Sequence, residues 1–243
     1  MQALDLSMRR DLGDILGTVS SLYVRHFFTF AAIALAVVLP MDLITLGLID
    51  GYLSSGYDDE GLLGSGGIAY NVTYVLVTVP LITAGHVHAV MDAGEGKVPS
   101  ARRSLGAAGG MFVKVALTVL LYSLGTFLGF IALVIPGIYL MVRWYFAAQD
   151  VVAEGSTPAD ALEHSGDLVK GNWWRVFGCV IVFNILAFIP ALILGGLVAL
   201  AASAANSGVL LVLSTAVVDA VVLSFLALSG TILYFDLRAR RPF

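Results

Sequence analysis

Four ionisable side chains lie inside long apolar runs: Asp42, Arg143, Asp150 and Asp219. An unpaired charge at the centre of a bilayer costs about 2.5–3.5 kcal/mol, so such groups face a bundle interior, pair with one another or line a watered path. Seven residues separate Arg143 from Asp150, which places both on one face of a helix, and Ala147 and Glu154 extend that stripe. Helical depth lets Arg143 reach Asp42 or Asp219 on a neighbouring span. Two kinds of chemistry fit. One is a path for an ion, a proton or a polar solute. The other is a structural ion pair that fixes helix packing. The second is preferred, because one Arg and one Asp neutralise each other and leave little polar lining.

Other reactive residue types give less. His86 and His88 are two apart and point to different helix faces, while His88 and Asp92 share a face but supply only two ligands. The single cysteine, Cys179, excludes a disulfide framework and a cysteine-based metal site. No G-x-S-x-G, H-E-x-x-H or phosphate-binding glycine loop occurs. Ser123, Ser214 and Ser224 fall in apolar runs with no identifiable base beside them. Gly125-x-x-x-Gly129 reads as a close helix contact. Asp236 and Arg240, four apart, read as a modest surface pair. No catalytic residue, metal or cofactor is therefore expected.

The elements that must carry these residues follow from composition. Of 243 residues, 59% are hydrophobic and 12% charged, and the mean hydropathy is +0.93. A soluble domain lacks the polar residues to cover so much apolar surface. The net charge of −4 leaves no basic surface for nucleic acid. Six runs are long enough to span a bilayer: 27–49, 68–90, 111–135, 137–153, 174–200 and 209–235. Pro136–Gly137 suits a tight hairpin between the third and fourth. With the N-terminus inside, the outer connections 50–67, 136–137 and 201–208 contain no Lys or Arg, and 12 of the 13 basic residues fall on the inner side. The positive-inside rule then predicts a multi-pass protein of the cytoplasmic (inner) membrane with both termini cytoplasmic. Some 26 mixed residues precede the first apolar run, which is unlike a cleavable signal peptide.

Two inner segments are polar yet periodic. In 7–25, Met8, Leu12, Ile15, Leu16, Val19, Leu22 and Tyr23 share one helical face. In 157–170, Ala161, Leu162, Ser165, Leu168 and Val169 do the same, with Thr157 as N-cap, Pro158 at the first helical position and Asp160 in the first turn. Both read as amphipathic helices lying in the cytoplasmic-side interface, anchored by Tyr23, Arg25, Trp173, Trp174 and Arg175. They align at an offset of 150 without a gap: Leu12 meets Leu162, Arg25 meets Arg175 and Pro40 meets Pro190. A third copy from Val98 through Pro136 needs a gap. The expected architecture is thus all-α, a polytopic six-helix transmembrane bundle forming a single domain over 1–243, with a threefold helix–hairpin repeat in units 1–90, 91–153 and 154–243.

The run 135–178, IPGIYLMVRWYFAAQDVVAEGSTPADALEHSGDLVKGNWWRVFG, and LYFDLRARR near the C-terminus resemble the membrane domain found with glycerophosphodiester phosphodiesterases. They also resemble related uncharacterised six-span bacterial and archaeal membrane proteins. The matching residues are Pro136–Gly137, Arg143, Glu154–Gly155, Ala161–Leu162, Ser165, Gly171–Trp174 and Asp236–Leu237–Arg238. The resemblance implies a stand-alone membrane domain. The phosphodiesterase activity belongs to a separate soluble barrel that these residues lack, so it is not carried over. The expected function is non-catalytic: anchoring, organising or sensing the bilayer, with membrane lipids as partners and a homo-oligomer or membrane-protein partner left open. The alternative is a small-solute or lipid transporter or channel using Asp42, Arg143 and Asp219.

Overall fold

A computed structural model describes residues 4–44 and 71–240. The acidic outer loop 50–67 and parts of the first two expected spans lie outside the described residues. Within them the chain is helical, with no strand. The helices are α1 (Leu12–Arg25), α2 (Phe27–Asp42), α3 (Asn71–Gly94), α4 (Ala101–Ala132), α5 (Val134–Arg143), α6 (Ala147–Glu154), α7 (Pro158–Val169), α8 (Trp173–Ala204) and α9 (Gly208–Arg240). By length and composition α3, α4, α8 and α9 can each cross a membrane, and α1 with α2, bent by 82°, brings the number to as many as five. A short π turn at Tyr74–Thr78 precedes Pro80 in α3. It sits where the proline ring would otherwise crowd the preceding turn and leave it without a donor.

Local chemistry sets the helix ends. Asp11 caps α1 by accepting from the Asp14 N–H at 2.8 Å, and the Asp14 carboxylate accepts from the Asp11 N–H at 3.3 Å. This reciprocal box satisfies two otherwise orphaned donors. Asp11→Ala is expected to cost about 1 kcal/mol, read as faster hydrogen exchange at the Asp14 and Ile15 amides. Thr157 caps α7 as the sequence suggests, with Pro158 beginning the helix. Gly155 ends α6 at φ +75°, a left-handed conformation that glycine adopts without a Cβ penalty.

Helix α9 is the shaft of the fold. From Leu228 to Leu237 its residues are buried on every side. Ile15, Val19 and Leu22 of α1, Phe30 and Ile33 of α2, and Val176 and Phe183 of α8 join its buried residues in one core. A second apolar cluster joins α3, α4, α6 and α7 through Val87, Val115, Val151 and Ala161. The other faces of α4 and α8 are apolar and open, with Phe127, Leu128 and Ile131 on one and Phe188, Leu192, Leu197 and Leu200 on the other. In the most apolar stretch of each, only 28% is buried. Open apolar faces along helices long enough to cross a membrane mark a hydrocarbon-facing belt.

Several expectations change. The fourth span, 137–153, is not one helix: it is α5 and α6, separated by a turn at Trp144–Phe146. The hairpin corner falls at Leu133, in extended conformation, rather than at Pro136–Gly137. Pro136 is the third residue of α5, where its missing N–H costs no helical bond. Gly137 instead lets α5 approach α4 closely, since a Cβ there would lie 2.5 Å from the Phe130 ring. The segment 100–110, expected to lead a third repeat copy, is continuous with α4. The periodic faces of α1 and α7 are real, but they are spent inside the protein, because Ile15, Val19, Ala161 and Val169 are fully or nearly fully buried against the bundle. Their apolar stripes therefore cover neighbouring helices rather than inserting into lipid.

Candidate functional site

The break between α5 and α6 organises the polar residues. In a continuous helix the Phe146 N–H would donate to the Val142 carbonyl and the Ala147 N–H to Arg143. Here Tyr145 N–H donates to Val142 O at 3.4 Å and Ala147 N–H to Trp144 O at 3.1 Å. The Phe146 N–H and the Arg143 carbonyl lose their helical partners. Ser165 of α7 satisfies both: its Oγ accepts from Phe146 N–H at 3.1 Å and donates to Arg143 O at 2.9 Å. Buried backbone groups require such partners.

The break also sends neighbouring side chains in different directions. Trp144 turns toward α4, where a Cβ at Gly125 would lie 2.4 Å from its ring. Gly129 in turn meets the Gly137 backbone, where its Cβ would be 3.1 Å from the Gly137 Cα. Gly125-x-x-x-Gly129 is thus a close helix contact, as its spacing suggests. Asp150, on the other side of the break, is buried. Its carboxylate accepts from Ser156 Oγ at 2.7 Å and Tyr234 Oη at 3.2 Å, and His164 Nδ1 lies 3.0 Å away. Glu154 pairs with Arg238 at 2.5 Å. Of the Arg143–Ala147–Asp150–Glu154 stripe, the last three share α6, while the turn at Trp144–Phe146 separates Arg143 from them.

Arg143 joins neither Asp42 nor Asp219. Among the described residues no carboxylate lies within ion-pair distance of it. Its Nη1 donates to Tyr139 Oη at 3.3 Å, and its guanidinium lies 6.0 Å from the Tyr139 ring centre. Asp42 on α2 and Asp219 on α9 instead lie near each other and near Tyr74. The expected Arg–Asp pair fails because depth along separate helices says nothing of which faces meet.

Asp236 departs furthest from its expected role as half of a surface pair. It is fully buried. It accepts from the Arg10 backbone N–H at 2.6 Å, Arg240 Nε at 2.9 Å and Arg175 Nη2 at 3.0 Å. Arg175 Nη2 also donates to the Arg10 carbonyl at 2.6 Å, as does Arg240 Nη2. One carboxylate and one peptide flank thus lock the segment leading into α1 to α8 and α9. Beside this knot, Ser7 donates through its hydroxyl and its N–H to Asp5, which holds that carboxyl below its ordinary range, with Arg10 a smaller influence. Arg175, expected as an interfacial anchor, serves this knot.

The other anchors divide. Tyr23 donates to the Val221 carbonyl at 3.1 Å and packs edge-on against Phe27 and Phe225. Trp173 stacks on Tyr139 and Phe177. Arg25 is exposed, and Trp174 is 77% exposed. His86 is buried against Phe30 and donates from Nδ1 to the Ile82 carbonyl at 2.8 Å. Among the described residues no group of three or more His, Cys, Asp or Glu side chains is placed to hold a metal ion.

Sequence reasoning missed a cavity of about 330 Å³ between α3, α4, α9 and the break, lined by Tyr74, Tyr122, Trp144, Tyr145, Gln149 and Leu226 among others. Gln149 is buried, and its Oε1 has no hydrogen-bond partner among the described residues. The aromatics come from three separate segments, so only the isolated Gln149 in an apolar run could have signalled the cavity.

An all-helical bundle with a hydrocarbon-facing belt and these internal polar knots defines a membrane protein. Residues 104–237, more than half of the chain, match the family described as Domain of unknown function (DUF7847), and the chain belongs to that family. No curated protein and no solved structure matches it. The matched region holds the break, Ser165, Asp150 and Asp236, while Arg10, just ahead of α1, lies before it.

Proposed function

We propose that this is a non-catalytic integral protein of the cytoplasmic membrane that anchors, organises or senses the bilayer by holding phospholipid at its basic end. Both termini are cytoplasmic, and α5, returning along α4, carries Tyr139 to the cytoplasmic side beside Trp173. The carrying observation is a change along one surface. The open apolar faces of α4 and α8 give way to Tyr139, Arg143, Lys170, Trp173 and Trp174. Aromatic and cationic side chains beside an apolar belt are the usual composition at headgroup level. The likeness of 135–178 to the membrane domain found with glycerophosphodiester phosphodiesterases falls on this segment. The non-catalytic reading is supported by how Ser165, Asp150 and Asp236 use their polar atoms: on backbone and on one another.

A second reading, transport of a small solute or lipid, draws on the cavity beside Gln149. It loses the joint use of Asp42, Arg143 and Asp219, since Arg143 stands apart. Purified protein is expected to retain phospholipid through detergent exchange and to pass no ions, protons or labelled lipid when reconstituted in liposomes. Flux above protein-free liposomes would favour transport. Release of all lipid in mild detergent, with no sedimentation on vesicles, would overturn the bilayer reading.

A further inference from the structure

A groove of about 260 Å³ opens where the end of α5, the end of α7 and the start of α8 converge. Tyr139, Arg143, Gly166, Asp167, Lys170 and Trp173 line it. Arg143 enters it because residue 166 is glycine: a Cβ there would stand 2.7 Å from the arginine Nε. Of the five guanidinium donors, one is engaged among the described residues, by Tyr139. Lys170, at the C-cap of α7, is exposed. No carboxylate among the described residues comes within ion-pair distance of either cation, although Asp167 stands on the rim. Trp173 stacks parallel to Tyr139 with ring centres 6.3 Å apart and donates from Nε1 to the Tyr139 carbonyl at 3.4 Å. This fixes the aromatic wall.

We propose that this groove binds the phosphate of an anionic phospholipid, with Arg143 and Lys170 as its cations and Tyr139 and Trp173 setting the headgroup level. The inference rests on the bilayer reading above and names the lipid class that reading lacks. An arginine carried by an apolar run needs an anion, and among the described residues no carboxylate lies within ion-pair distance of it. Guanidinium recognises phosphate oxygens with paired donors, while lysine adds a point charge. A lipid is favoured over a soluble phosphate because Trp173 of the groove packs on Trp174, a large aromatic 77% exposed at the start of the apolar helix α8. Asp167, on the rim, repels an anionic ligand and lowers its affinity.

The test uses the full chain in detergent, titrated with phosphatidylglycerol or phosphatidylcholine and read by native mass spectrometry. The wild type should hold phosphatidylglycerol at least tenfold more tightly than phosphatidylcholine. Arg143→Gln and Lys170→Gln should each reduce that preference, and the double variant should abolish it. Asp167→Asn should strengthen phosphatidylglycerol binding, which a merely structural role would not produce. Lys170 is exposed, so Lys170→Gln keeps the test valid if Arg143→Gln fails to fold. Unchanged preference in Lys170→Gln, or weaker binding in Asp167→Asn, overturns the proposal. Displacement of the lipid by millimolar inorganic phosphate, with equal binding of phosphate alone, overturns the lipid assignment. Lipid retention without preference defeats the groove but leaves the bilayer reading standing; loss of both lipids defeats that reading itself.

Discussion

Replacing Asp236 with alanine is expected to destabilise the protein by about 3–5 kcal/mol, the cost of removing one partner from a buried charge network. The carboxylate is fully buried and holds three donors, so its loss strands Arg175, Arg240 and the Arg10 N–H together. Arg175 has little in reserve, since its Nε is already buried without a partner among the described residues. Asp236→Asn keeps the shape and one acceptor, and should lose less. Arg240→Gln should lose less again, because that side chain is 28% exposed and the other two donors remain. The measurement is the unfolding midpoint of the detergent-solubilised protein. An Asp236→Ala midpoint within about 0.5 kcal/mol of wild type, the range of ordinary surface substitutions, would return Asp236 to the role of a surface residue.

Ser165→Ala should cost about 2–4 kcal/mol, since two buried backbone groups lose their only partner and each orphan costs about 1–3 kcal/mol, partly relieved by local adjustment. The hydroxyl is the bridge between Phe146 N–H and Arg143 O, and Ser165 is 1% exposed. Hydrogen exchange distinguishes this effect from general loosening. The Phe146 amide should lose protection well before amides in the buried half of α9. Equal protection of Phe146 in wild type and Ser165→Ala would show that the turn holds itself.

These residues show what a sequence displays and what it withholds. Helix caps and period are local, so Thr157, Gly155 and the faces carrying Ile15, Val19, Ala161 and Leu168 can be read along the chain. Glycine spacing gave the contacts at Gly125 and Gly129 for the same reason. The partner of a face is not local. An amphipathic stripe satisfied by lipid and one satisfied by another helix have the same pattern, and α1 and α7 use the second solution. The break in 137–153 was hidden because Trp144, Tyr145 and Phe146 are apolar and contain neither proline nor glycine. Its cause lies nineteen residues downstream, in a serine that supplies what the backbone gives up. Asp236 and Arg240 do pair at the expected spacing, but the donors from Arg10 and Arg175 arrive from distant parts of the chain. Likewise the cavity beside Gln149 exists only where separate helices diverge.

The Asp236 knot has a consequence for biogenesis. Helix α1 is made before α9: the carboxylate that receives the N–H of Arg10, just ahead of α1, is encoded 226 residues later. During synthesis the side of α1 that packs on α9 stays open until α9 is made. The nascent chain therefore carries a partly uncovered amphipathic segment between the synthesis of α1 and that of α9. That segment has affinity for the membrane surface at this stage, and its docking onto α9 is a late closing step of assembly.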